Sequence, residues 1–180
     1  MSADEVDEIV ADWSRERPDL DVSPMAVLSR ITRLSHVLDR ARREAFAGHD
    51  VVVWEFDVLA ALRRAGAPYE LSPKHLIAET LVTSGTMTTR VDRLIERGFV
   101  SRHRDPADGR SILVRLTDEG RRAVDGAMED LLAAEAAMVQ DLGADGQEHL
   151  AGLLRELILA NPASAQDRAG RSTPGSPRGR

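Results

Sequence analysis

The segment Leu71–Leu116 constrains this chain more than any other, because its hydrophobic spacing switches from helical to alternating at one glycine. Leu71-Ser72-Pro73 reads as a helix start: Ser72 can cap orphan N–H groups and Pro73 suits the first helical position. Leu71 and Leu76 flank that cap as a hydrophobic staple. The helix should reach about Glu79, with Thr80–Val82 as a tight link. Thr83 can cap a second helix, whose apolar residues Met87, Val91, Leu94 and Ile95 recur at helical spacing. Gly98 closes it where the chain must turn left-handed. Beyond it, Phe99–His103 and Ser111–Leu116 alternate like strands, and Asp105–Arg110 (DPADGR) is a turn-rich loop between them.

Helix, turn, helix and then a hairpin with a basic loop is a winged helix. The expected fold is therefore mainly α with a small β-hairpin wing, and the chemistry suits DNA. Thr83, Ser84, Thr86 and Thr88 put short hydroxyls at the exposed start of the second helix, able to reach phosphates and base edges in a major groove. Arg90, Arg93, Arg97, Arg102, Arg104, Arg110 and Arg115 lie on the helix or hairpin, and some must face phosphate if the module binds DNA.

The net charge of −6 looks wrong for such a role until it is divided along the chain. Residues 69–116 carry eight basic and six acidic side chains, while residues 117–160 carry three and ten. The positive share sits in the expected reading head, and an acidic body limits non-specific DNA binding.

The remaining chain reads as helices around this head. Residues 3–17 form an amphipathic helix with Val6, Ile9, Val10 and Trp13 on one stripe, ended by Pro18. Ser23-Pro24 starts a long helix running to about Ala47, and Val53–Arg64 is a helix whose run from Phe56 to Leu62 is apolar except for Asp57. Thr117 caps a helix to about Gln140, Gly143–Gly146 breaks the pattern, and Gln147–Ala160 is a last, leucine-rich helix. Residues 24–47 and 117–160 carry more apolar stripe than one subunit can bury. They are expected to dimerise, with residues 53–116 as the DNA-binding lobe. Asn161–Arg180 is Pro/Gly/Ser/Arg-rich and expected to be disordered. Aromatic residues are only 3%, so the core should be aliphatic. No apolar run is long enough for a membrane span and no signal peptide is visible, which gives a cytoplasmic expectation.

The run LSPKHLIAETLVTSGTMTTRVDRLIERGFVSRHRDPADGRSILVRLTDEG resembles the MarR family of bacterial transcription regulators, and the resemblance extends over roughly residues 24–160. It implies a homodimeric repressor whose two recognition helices meet an inverted-repeat operator, with half-sites ~34 Å apart. Asp108-Gly109-Arg110-Ser111 is similar to that family's wing signature, in which the Asp holds the Arg and the Arg enters the minor groove. The candidate DNA-binding residues are thus Thr83, Ser84, Thr86, Thr88, Arg93, Arg104, Asp108 and Arg110. Some relatives sense peroxides through a cysteine, and this sequence has none.

Three residues look out of place for simple packing: Trp13, the carboxylate Asp57 in its apolar run, and Arg90 near the inner face of the recognition helix. An Asp–Arg pair with an indole nearby could hold a flat polar molecule. The urate-responsive subgroup of the MarR family is similar here. It has an N-terminal helix with a Trp, an Asp and an Arg matching Trp13, Asp57 and Arg90, and a further Arg matching Arg102. The resemblance implies a small anionic effector, urate or another purine-type or aromatic anion. The plain readings stand beside these: Trp13 as a core anchor, Asp57 as a first-turn carboxylate favouring the helix dipole, Arg90 as a phosphate contact, Arg110 as a solvated wing charge.

An enzyme is not expected, since no nucleophile elbow, P-loop or dinucleotide fingerprint occurs, and no cofactor or metal is implied by the histidine spacing. The rival reading is a winged helix that contacts proteins or coats DNA without sequence preference and takes no ligand.

Overall fold

The computed structural model describes residues 3–80, 82–106 and 108–161. In order these form α1 (Glu5–Glu16), α2 (Ser23–Ala47), α3 (Val53–Arg64), β1 (Glu70–Leu71), α4 (Pro73–Thr80), α5 (Ser84–Glu96), β2 (Val100–Arg104), β3 (Ile112–Leu116), α6 (Asp118–Val139) and α7 (Gly143–Ala160). The fold is mainly α with a small β-sheet. The chain divides into two compact units, Met1–Glu44 and Ala45–Arg180.

The first unit holds α1 and most of α2. Asp4 caps α1, accepting from the amides of Val6 and Asp7 at 2.8 and 3.2 Å, while the Asp7 carboxylate accepts from the Asp4 amide at 2.8 Å. Such a reciprocal box satisfies amides that have no partner within the helix. Arg30 on α2 grips both caps, at 2.9 Å to Asp4 and 2.7 Å to Asp7, and Arg33 reaches Glu5 at 2.7 Å. Arg30 hydrogen bonding holds the Asp4 carboxyl below its ordinary value. For Asp7 the capping amide of Asp4 does most, with Arg30 second.

The second unit is built on one apolar cluster. Val58, Leu59 and Leu62 of α3, Leu76 of α4, and Met87, Val91 and Leu94 of α5 are fully buried in it. Val100 and Val114 from the strands and Val124, Ala127 and Leu131 from α6 complete it. The aliphatic expectation needs one amendment. The chain has three phenylalanines and all of them, Phe46, Phe56 and Phe99, lie in this cluster, with Phe46 and Phe56 stacked at 4.1 Å between ring centroids.

The wing is three-stranded, in the order β1-β3-β2, with both pairs antiparallel. β2 and β3 pair from Val100 opposite Leu116 to Arg104 opposite Ile112, as their alternation predicts. β1 adds Glu70 opposite Arg115 and Leu71 opposite Val114. Two residues are too short to show a period, so sequence patterning gives no sign of this strand.

Gly98 takes φ of 74° at the end of α5, the left-handed stop expected there. Thr117 fastens α6 to that corner: its hydroxyl donates to the Gly98 carbonyl at 2.7 Å and accepts from the Gly120 amide at 3.0 Å. Gly120 lies so close to the Phe99 carbonyl that a methyl there would overlap it. The break after α6 falls at a 3-10 turn, Gln140–Leu142, and α7 already begins at Gly143, earlier than the glycine spacing suggests. Gly143 supplies a positive φ of 63° at the junction, so that glycine starts the helix and does not interrupt it.

Among the described residues no helix is long and apolar enough to cross a membrane, and no group of three His, Cys, Asp or Glu could hold a metal ion. The expected disordered tail lies outside the described residues beyond Asn161.

Candidate functional site

α5 is amphipathic, and its two faces have separate tasks. Met87, Val91 and Leu94 enter the core, while Ser84, Thr86, Thr88, Thr89, Asp92 and Arg93 are exposed. Thr83 is the N-cap: its hydroxyl accepts from the Thr86 amide at 3.3 Å and lies 2.9 Å from the Thr86 hydroxyl. Thr83 therefore contributes mainly by fixing the start of the helix. Thr88 donates to the Ser84 carbonyl at 3.1 Å and Thr89 to Gly85 at 3.2 Å. With their protons turned inward, these hydroxyls present oxygen lone pairs outward, which suits amino donors on base edges.

The seven arginines of the helix and wing sort by partner. Arg97 donates to Glu55 at 2.5 Å and pairs with Asp50 at 2.7 Å. Its guanidinium also lies 4.6 Å from the Phe99 ring centroid. Arg102 pairs with Asp92 at 2.6 Å, tying β2 to α5, and Arg115 pairs with Glu70 at 2.6 Å across the sheet. His103 also reaches Glu70, at 3.0 Å. Arg90 lies over Trp54 with 5.5 Å to the ring centroid. Arg93, Arg104 and Arg110 are exposed and have no ion pair with the described residues. These three are the arginines singled out from the sequence for DNA.

At the wing tip, Asp108 accepts from the backbone amide of Arg110 at 3.2 Å and from the Ser111 hydroxyl at 2.7 Å. Both bonds hold its carboxyl below the ordinary value, the Ser111 bond most. This is an Asx-type turn. Asp108 thus steadies Arg110 through its main chain, and the guanidinium stays exposed.

On one flank of α5, Thr86, Thr89, Arg90 and Arg93 recur at i, i+3, i+4 and i+7, forming a single stripe. Together with Trp54 of α3 they line a cleft of about 290 Å³. Asp57 follows Trp54 by three residues on α3 and is half-buried. It sits past the first turn, so Glu55 is the acidic residue there. Arg102 lies on the opposite flank through its bond to Asp92. Trp13 belongs to the first unit, on α1, and is 48% exposed in the single chain.

Two residues of weight escape the sequence pattern. Trp54 is the aromatic wall beside Arg90. Glu55, only 3% exposed, is the buried carboxylate, accepting from the Val52 amide at 3.0 Å and from Arg97. The presence of Trp and Glu at the start of an apolar helix was the available signal.

A MarR family model matches residues 49–111, which run from the loop before α3 to the wing. The transcriptional regulator PecS of Dickeya dadantii is 38% identical over 150 residues, covering 83% of this chain and 90% of the relative. Among solved structures, a cysteine-to-serine mutant of Escherichia coli MarR in complex with operator DNA aligns with a TM-score of 0.63. It shows 26% identity and covers 77% of this chain and 99% of that one. BpsR of Bordetella bronchiseptica, whose DNA binding is regulated by 6-hydroxynicotinic acid, shares the fold. Its TM-score is 0.61 at 23% identity, with 77% and 94% covered.

Proposed function

Because this chain belongs to the MarR family and is a DNA-binding transcriptional regulator, not an enzyme, we propose that it is a homodimeric repressor of an inverted-repeat operator, released by a small planar anion such as urate. The observation that carries the DNA reading is the sorting of arginines. Three of the seven stand exposed without an ion pair among the described residues, one on α5 and two on the wing. In this reading Ser84, Thr86, Thr88 and Arg93 enter the major groove, Arg104 meets phosphate, and Arg110, steadied by Asp108, reaches the adjacent minor groove. Thr83 sets the helix start.

The dimer reading is supported by apolar side chains left exposed on helices outside the reading head. On α7, Leu153, Leu157, Ile158 and Leu159 are exposed, the last two at 69% and 74%. On α2, Val27, Leu28, Leu34 and Val37 are exposed, and on α6 Leu132. Large apolar side chains left open on each of these helices favour a partner copy. A second copy covering it would set two α5 helices about one DNA turn apart.

The effector, urate or a related purine, is assigned to Asp57, Arg90 and Arg102 as implied by the family resemblance. A mobility-shift titration on the DNA upstream of the protein's own gene tests the reading. Tight binding that urate releases is expected. Binding no tighter than to random duplex would favour a DNA-coating winged helix instead.

A further inference from the structure

We infer that the outer stripe of α5, with Thr88, Thr89 and Asp92, reads DNA as an acceptor-only face. It selects bases that turn an exocyclic amino group to the major groove, adenine through N6 or cytosine through N4. This rests on the reading of α5 as the element that enters that groove, and it names the base chemistry the helix selects.

Gly85, Thr88, Thr89 and Asp92 fall at i, i+3, i+4 and i+7 and are all exposed, on the side of α5 turned from the buried Met87, Val91 and Leu94. None of them has a side-chain proton to offer. Thr88 spends its hydroxyl proton on the Ser84 carbonyl at 3.1 Å, and Thr89 spends its own on the Gly85 carbonyl at 3.2 Å. The Asp92 carboxylate only accepts, and Arg102 holds one of its oxygens at 2.6 Å. That bond fixes the carboxylate and offsets the charge that phosphates would repel. Gly85 has no side chain, and a methyl built there would meet nothing within 4 Å, so the chain leaves the approach to the stripe open at that end.

Phosphate oxygens are acceptors too, so this stripe gains nothing by lying along the DNA backbone. It fits base edges instead. In the major groove adenine and cytosine present an amino donor where thymine and guanine present a carbonyl oxygen. An acceptor-only face therefore separates amino bases from keto bases on the strand it meets. Arg93, on the neighbouring stripe, supplies the donors that this one lacks.

The test uses the full chain and the operator it selects from random duplexes. Each adenine or cytosine of the half-site is replaced in turn, in both half-sites together, by a base lacking only the amino group: purine for adenine, pyrimidin-2-one for cytosine. Anisotropy reads the affinity. Some of these replacements are expected to raise the dissociation constant by at least about tenfold. Thr88→Val and Thr89→Val keep the side-chain shape and remove the acceptor. Each should weaken binding of the unmodified operator by about tenfold and make one of those replacements cost nothing further. Thr88→Ser and Thr89→Ser, which keep the oxygen, should retain the discrimination. Circular dichroism checks that the variants fold. If every replacement costs as much in the valine variants as in the parent, the threonines do not read amino groups; this inference is then overturned while the regulator with a defined operator stands. If the selection enriches no sequence, the reading of α5 itself falls and takes this inference with it.

Discussion

The guanidinium of Arg90 lies over the indole of Trp54, 5.5 Å from the ring centroid, and joins the recognition helix to the start of α3. The contact marks one edge of α5. The Asp92–Arg102 pair, at 2.6 Å, marks the other and joins the helix to the wing. Between these two edges lie the exposed Thr86, Thr89 and Arg93.

Arg93, Arg104 and Arg110 should each behave as phosphate or groove contacts. Replacing any one by Ala is expected to weaken operator binding and to reduce the slope of log K against log salt by about 0.9. Arg115→Ala should leave that slope unchanged, because its charge is already satisfied by Glu70. Anisotropy titrations at several salt concentrations measure both quantities.

Glu55 is the buried anchor for the end of α5. Its carboxylate holds Arg97 at 2.5 Å while 3% exposed, so its removal leaves a guanidinium facing an emptied site. Glu55→Ala is expected to cost about 3 kcal/mol in urea unfolding. A loss under 1 kcal/mol would show that the pair does not anchor the helix.

Gly120 has no room for a side chain. Gly120→Ala would push a methyl into the Phe99 carbonyl where α6 meets the hairpin, and that obstacle is backbone, which cannot swing aside as a side chain could. The expected loss is about 2–3 kcal/mol in thermal or urea unfolding. Gly152→Ala on α7, with nothing near its added methyl, should instead gain about 0.5–1 kcal/mol from helix propensity.

The packing of α1 on α2 should be acid-sensitive. Asp4 and Asp7 have folded carboxyl values below the ordinary 3.8, lowered by Arg30 and by capping amides. For a depressed carboxyl, the stabilisation is present above the unfolded value and lost as pH falls through the folded one. Trp13 fluorescence in a Trp54→Phe background should hence be constant from neutral pH to about pH 4 and change below it. In Arg30→Ala, the change should begin at higher pH.

The winged region was legible because its boundaries are written locally. Ser72, Thr83 and Thr117 are capping residues standing just before apolar helical runs, Gly98 marks the turn, and the period changes at Phe99. Arginines with a structural partner and arginines without one look identical in sequence. Only the carboxylates facing Arg97, Arg102 and Arg115 separate them, and Glu55 is 42 residues from its partner. Trp54 was invisible for the same reason. Its tie to Arg90 is tertiary, whereas the eye falls on Asp57, which breaks the apolar pattern one turn later. β1 is two residues long, and pairing with β3 alone defines it.

Hydroxyl-radical footprinting of an operator selected from random duplexes tests the central claim most directly. The account predicts two protected segments related by a dyad, about one helical turn apart on one face, with further minor-groove protection outside each that disappears in Arg110→Ala. Uniform protection without symmetry, or failure of the selection to enrich any sequence, would contradict it.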